Sequence, residues 1–237
     1  MCFSATADFV AAGGIGAVAV ATAMQVRTVR DVPFAALPGL FALHQLAEGF
    51  VWLSLEGHVG SGVGDVAAFL YVLYAFGLLP VLVPAALLLI EPPGRRRRHM
   101  LPFVVIGAIT AVYLFWASVA RPVDYEQVHH SIAYHAHAPL LGVAAVGYVL
   151  ATVGAALLAG YRSIVAFGVA NGIGIVVTLI VLAAAFASLW CLWAALTSVL
   201  VLVFFVRRNR AEGSRVRWLQ STSPAEVGRA TEGTAAR

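Results

Sequence analysis

From Ala5 to Val206 the chain consists almost entirely of stretches of about twenty mostly apolar residues, the length that crosses the hydrocarbon of a bilayer as a helix. In hydrocarbon only a helix or a closed barrel satisfies its own backbone. Seven such stretches are readable, over residues 5–26, 33–55, 66–90, 101–120, 139–160, 163–184 and 187–206. Residues 163–206 are nearly unbroken apolar sequence, too long for one crossing at about 1.5 Å per residue. A turn is expected there near Ala187 and Ser188. The expected fold is all-α, a polytopic membrane helical bundle of about seven transmembrane helices over residues 1–210; six or eight spans remain compatible with the pattern. The partner is then the lipid bilayer, and only 11% of the residues are charged, against about 25% in a soluble domain. Residues 211–237 are rich in Ala, Gly, Ser, Thr, Glu and Arg without apolar periodicity, and are expected to be a disordered cytoplasmic tail.

The charges give the orientation. All 15 basic residues are Arg. Arg27, Arg30, Arg95, Arg96, Arg97, Arg98, Arg162, Arg207, Arg208 and Arg210 fall in alternate linkers on one side of the seven spans, and only Arg121 falls on the other. The positive-inside rule places the N-terminus outside and the C-terminus in the cytoplasm. The first basic residue, Arg27, follows the first apolar run, so that run reads as a retained span and not as a signal peptide. Clustered Arg between apolar runs is also not the solvated patch of a nucleic-acid binder. The absence of Lys excludes a retinal Schiff base. No Gly-x-x-x-x-Gly-Lys phosphate loop occurs.

Polar residues inside the spans are expensive and read as functional by default. His44, Glu48 and Trp52 recur every four residues in the second span and share one helix face. His44 lies near mid-membrane, with Glu48 one turn nearer the outside. A structural hydrogen bond, for instance to a neighbouring Tyr, is the bland alternative for Glu48. The fourth linker gathers His129, His130, His135 and His137 behind Asp124, Tyr125 and Glu126. A short His-rich tract suggests metal binding, although its spacing matches no standard zinc signature. The bland reading is an interfacial loop of solvated or capping His.

Cys2 and Cys191 fall on the same, extracytoplasmic side. Three readings stand: a disulfide tying the first helix to the last, soft ligands for zinc or copper with a His, or unlinked packing. A Cys2 exposed by removal of Met1 could also act as an N-terminal nucleophile. Tyr71, Tyr74, Tyr113 and Trp116 are expected to be interfacial belt aromatics. Asp8 is expected to be a helix-start charge favoured by the dipole. Gly13 to Gly16, and Asn171 to Gly174, are expected to mediate close helix packing, and Asn171 and Thr178 to hydrogen-bond between helices.

The opening Met1-Cys2-Phe3-Ser4-Ala5, the run His44-Gln45-x-x-Glu48-Gly49-x-x-Trp52 and the pair Trp190-Cys191 resemble a family of uncharacterised bacterial multi-pass membrane proteins. The resemblance covers the chain to about residue 206. It implies location in the bacterial inner membrane and singles out Cys2, His44, Glu48 and Cys191, without implying an activity. Three functions are expected to compete. The first is binding of a metal or small ligand in an outward-facing pocket. The second is a metal-assisted hydrolase with Glu48 as base. The third is a small-solute or proton-linked transporter relaying through His44 and Glu48. The oligomeric state is open.

Overall fold

The computed structural model describes residues 4–120, 123–128, 131–135, 139–182 and 186–221. Helix α1 (Ala5–Ala23) begins at Ser4, whose Oγ accepts from the Ala7 N–H at 3.3 Å. After a single 3-10 turn, the short α2 (Val32–Ala35) leads through Ala36 into α3 (Leu37–Leu55). Helices α4 (Ser61–Val72) and α5 (Leu79–Ile90) are joined by a π-helical turn, Leu73–Leu78. Helix α6 (Arg95–Ala120) returns to a hairpin of β1 (Asp124–Val128) and β2 (Ser131–His135). Helices α7 (Leu141–Val149) and α8 (Ala155–Leu157) flank a second π-helical turn, Leu150–Gly154. The chain ends in α9 (Arg162–Leu182), α10 (Phe186–Thr197) and α11 (Val199–Ser221).

Among the described residues, six helical stretches are long and apolar enough to cross a membrane: Ala5–Ala23, Val29–Leu55, Ser61–Ile90, Arg95–Ala120, Arg162–Ile180 and Leu192–Glu212. The stretch expected over 139–160 is realised as the shorter apolar helix Leu141–Leu157. It is trimmed at its far end, where Glu91 Oε2 accepts from the Gly160 N–H at 3.0 Å and holds the following turn.

Three boundaries differ from expectation. Ala187 and Ser188, where the turn was expected, lie inside α10, which starts at Phe186. Helix α10 packs back along α9: the Trp193 indole donates to the Ala170 carbonyl at 2.8 Å, and Asn171 Nδ2 donates to Thr197 Oγ1 at 3.1 Å. A side chain on Gly174 would collide with Trp193, so the close packing expected at that glycine is present. Helix α11 runs past Ala211 to Ser221, so the start of the expected disordered tail is helical. Ala, Arg, Leu and Gln favour a helix there, and Glu212 lies 3.9 Å from Arg208 one turn back. Residues 222–237 lie outside the described residues. The third difference is the hairpin itself, where a loop was expected.

Gly13, Gly14 and Gly16 also depart from expectation: a Cβ on any of them would meet nothing within 4 Å. The close approach of α1 to α3 is made instead by Gly49 against Phe9, and Gly39 sits opposite Ala19.

Opposite the hairpin, the arginine end of the bundle is laced by polar contacts. Arg208 reaches from α11 to Asp31, 177 residues away, with Nη1–Oδ1 and Nη2–Oδ2 distances of 2.6 and 2.9 Å. Asp31 also accepts from the Arg27 and Thr28 backbone N–H groups at 3.2 and 3.0 Å. The guanidinium lies 5.3 and 5.0 Å from the ring centroids of Phe204 and Phe205. Asn209 Nδ2 donates to the Gln25 carbonyl at 2.9 Å, and Arg27 pairs with Glu212 at 3.2 Å. Phe34, Phe204 and Phe205 pack beneath this network in the main core.

Candidate functional site

Helix α3 is inverted relative to a helix in water. Leu43, Leu46 and Phe50 are exposed, while His44, Gln45, Glu48 and Trp52 are turned inward and buried. A helix that shows lipid its apolar side and its neighbours its polar side has this pattern. The stripe His44, Glu48, Trp52 read from the spacing is therefore one buried face, to which the structure adds Gln45. Gln45 Nε2 donates to Glu48 Oε2 at 3.4 Å, so Glu48 bonds within its own helix.

Helix α1 supplies a second carboxylate. Asp8 is in its first turn, as the dipole argument expects, but it is 0% exposed, and so is Glu48. The antiparallel register marked by Phe9 against Gly49 and Ala19 opposite Gly39 brings Asp8 level with the stretch between Glu48 and Trp52. A capping role alone does not require burial, and Asp8 belongs with the site.

Tyr71 and Tyr74 are not belt residues. Tyr71 is fully buried and stacks on the His44 imidazole with centroids 3.7 Å apart and planes 21° apart. Tyr74, in the π-helical turn, stands 4.8 Å from His44 at 55°. The opposite face of Tyr71 carries Tyr134 of β2 at 4.2 Å and 12°. The hairpin thus ends a three-ring stack of Tyr134, Tyr71 and His44. Extra-turn π segments recur at functional sites, and this one places Tyr74 beside the imidazole that Tyr71 of α4 stacks on. His44 is 2% exposed, and among the described residues neither Nδ1 nor Nε2 has a hydrogen-bond partner, nor has the Trp52 indole N–H.

The hairpin covers this cluster. Its register pairs Tyr125 with Tyr134 and Gln127 with Ile132. Ser131, Ile132 and Ala133 are buried, and Ile132 packs in one cluster with Ala5, Val51 and Trp52. Tyr125 donates to Asp65 Oδ1 at 3.1 Å, an approach allowed by the absent side chain of Gly64. Burial, followed by the Asp65 carboxylate, holds the Tyr125 phenol above its usual range. Tyr113 keeps a polar task, its hydroxyl accepting from the Leu140 N–H at 2.9 Å, while Trp116 is exposed as a belt residue would be.

Of the His-rich tract, His129, His130 and His137 lie outside the described residues. His135 ends β2, and its side chain also lies outside them. Cys2 does too. Cys191 is carried by α10, which packs on α3 and β2, but its side chain is not among those described. Among the described residues no three His, Cys, Asp or Glu form a group able to hold a metal ion.

The profile of a family of unknown function (DUF6629) matches residues 1–217. The chain belongs to that family. The match takes in the hairpin and every described helix except the last four residues of α11, so the DUF6629 family spans the bundle, and the resemblance to an uncharacterised family holds at that level. No curated protein and no solved structure matches this DUF6629 chain.

Proposed function

We propose that this DUF6629 protein is a multi-pass protein of the bacterial inner membrane that binds a metal ion, zinc or copper, at the hairpin end of the bundle. The observation carrying this reading is His44: a buried imidazole whose two nitrogens have no hydrogen-bond partner among the described residues, on the helix face that also carries buried Glu48. A buried polar group without a partner costs about 1–3 kcal/mol, which coordination would recover. Imidazole, carboxylate and thiolate are the donors zinc takes, and thiolate favours copper. The ligands proposed are His44 and Glu48 with Cys2 and Cys191, Asp8 lending charge and Trp52 closing the site; His129, His130, His135 and His137 of the His-rich tract are the further candidate donors. Side chains close the cluster tightly, which suits an ion better than a larger ligand.

Elemental analysis of the detergent-purified full chain, with non-reducing mass spectrometry, tests this. The expected result is close to one zinc or copper per chain, lost at least tenfold in His44→Ala and in Cys2→Ser. Binding should weaken on acidification, because imidazole and thiol bind metals deprotonated. A protein that takes up neither metal at micromolar concentrations, with Cys2 and Cys191 joined as a disulfide, would overturn the reading.

The orientation is proposed from the arginines: hairpin end and N-terminus outside, arginine end in the cytoplasm. Residues 25–31, 91, 160–161 and 208–212 are mutually connected through side-chain contacts at that one end. A small tag before Cys2 should be reached by an impermeant reagent in intact cells, and one after Arg237 only after lysis. The reverse pattern would sink this orientation.

A second reading, proton-linked transport, is favoured by one observation. A cavity of about 20 Å³, room for one water, lies among Phe41, Tyr148, Thr152 and Asn171, one turn of α3 from His44. Flux in proteoliposomes that His44→Ala abolishes, with no metal bound, would favour it.

A further inference from the structure

We infer that the α5–α6 turn at the arginine end is a binding site for the phosphate of an anionic phospholipid. The inference rests on the membrane reading but not on the site at the hairpin end. Four consecutive cations, Arg95 to Arg98, open α6, and its first turn holds no acidic residue. The N-terminus of a helix already carries about half a positive charge, so this is the end where cations are least stable. The guanidinium of exposed Arg96 lies with Glu91 beside Gly160. Among the described residues, Arg95, Arg97 and Arg98 enter no ion pair.

Arg97 and Arg98 line a recess of about 250 Å³ with Leu88, Pro93, Gly94 and Leu101. Arg97 is half-buried there. The two arginines share this mostly apolar lining with Leu88, Pro93 and Leu101. Below Leu101 the exposed face of α6 continues as Val105, Ile109, Val112 and Trp116, a stripe at helical spacing running toward the opposite end. A phosphate bound by Arg97 and Arg98 would therefore have acyl chains leading straight onto an apolar track. Arg binds phosphate through paired N–H donors. A free anion would use the recess but not the track, which is why the charge and the stripe together point to a lipid.

Native mass spectrometry of the full chain in neutral detergent, titrated with phosphatidylglycerol or with phosphatidylcholine of the same chains, reads this out. Phosphatidylglycerol should bind preferentially, and Arg97→Gln with Arg98→Gln should weaken it about thirty-fold, on the order of tenfold or less per arginine. The double variant Arg30→Gln with Arg162→Gln, exposed at the same end outside the recess, should stay within about twofold. Equal affinity for the two lipids overturns the proposal. So does equal loss in both double variants, which would mean a diffuse basic surface. Displacement by low-millimolar inorganic phosphate overturns it as well, since the apolar track would then contribute nothing. Unchanged incorporation of all variants into vesicles would leave the membrane reading standing in each case.

Discussion

Arg208→Ala lowers the stability of the folded bundle by about 3–5 kcal/mol, the usual penalty for stripping one partner from a buried ion pair. The size follows from where Asp31 is left. Its carboxylate is nearly inaccessible, and its remaining donors are the backbone N–H groups of Arg27 and Thr28. Arg208 also covers the Phe204 and Phe205 rings, so alanine removes packing along with charge. Arg208→Lys should fall between, because an ammonium cannot span both oxygens. Asp31→Ala should cost less than Arg208→Ala, since Arg208 keeps Glu212 at 3.9 Å and the two rings. The double variant Asp31→Ala with Arg208→Ala should then cost clearly less than the two singles added. Unfolding in mixed detergent micelles measures all four. A loss below about 1 kcal/mol for Arg208→Ala, the range of exposed pairs, would mean the pair is solvated.

Gly107→Ala is the second large expected effect, about 3 kcal/mol, the upper end for forcing atoms into a filled interior. A Cβ at this position would run into the carbonyl oxygen of Pro80. That oxygen is backbone and cannot swing aside. It is also unusually available: its i+4 residue is Pro84, inside α5, which has no N–H to donate to it. The carbonyl therefore points at α6, and glycine is the residue that lets α6 come that close. Pro84 Cγ, next to the same position, closes the way out. Gly13→Ala is the control, because nothing lies within 4 Å of its Cβ, and it should shift stability by no more than about 0.5 kcal/mol. If Gly107→Ala behaves like Gly13→Ala in the same assay, α5 and α6 do not pack as described.

How much of this was legible in the sequence depends on which interaction carried each feature. Helices at the seven expected places, six of them long and apolar enough to span a membrane, follow from length and apolarity, which act locally. The inward face of α3 was legible too, because His44, Glu48 and Trp52 carry a helical period that any helix must honour. Asp8 stands in the first turn as expected, but position in a helix says nothing of what packs beside it, so its burial was not legible. The stack of Tyr134, Tyr71 and His44, with Tyr74 beside it, was missed because its meeting is tertiary, across α3, α4, the π-helical turn and β2. The only local hint of the hairpin was the short run from Asp124 to Val128, mirrored after two residues by Ser131 to His135, and its clustered histidines read more strongly as a metal tract. The glycines divided along the same line. Composition marks a small residue but not its direction, so Gly174 and Gly49 take up neighbouring rings while Gly13 and Gly16 face outward.

The inverted face of α3 bears on how the protein is made. A segment carrying His44, Gln45 and Glu48 on one side partitions into lipid poorly alone, since one central charge raises insertion free energy by about 2.5–3.5 kcal/mol. Helix α1, which precedes it, packs along it on the side marked by Gly39 and Gly49, while His44 is met by Tyr71 and Tyr74 from later in the chain. During synthesis the ring cover of His44 would therefore come only once residues 71–74 and the hairpin have been translated.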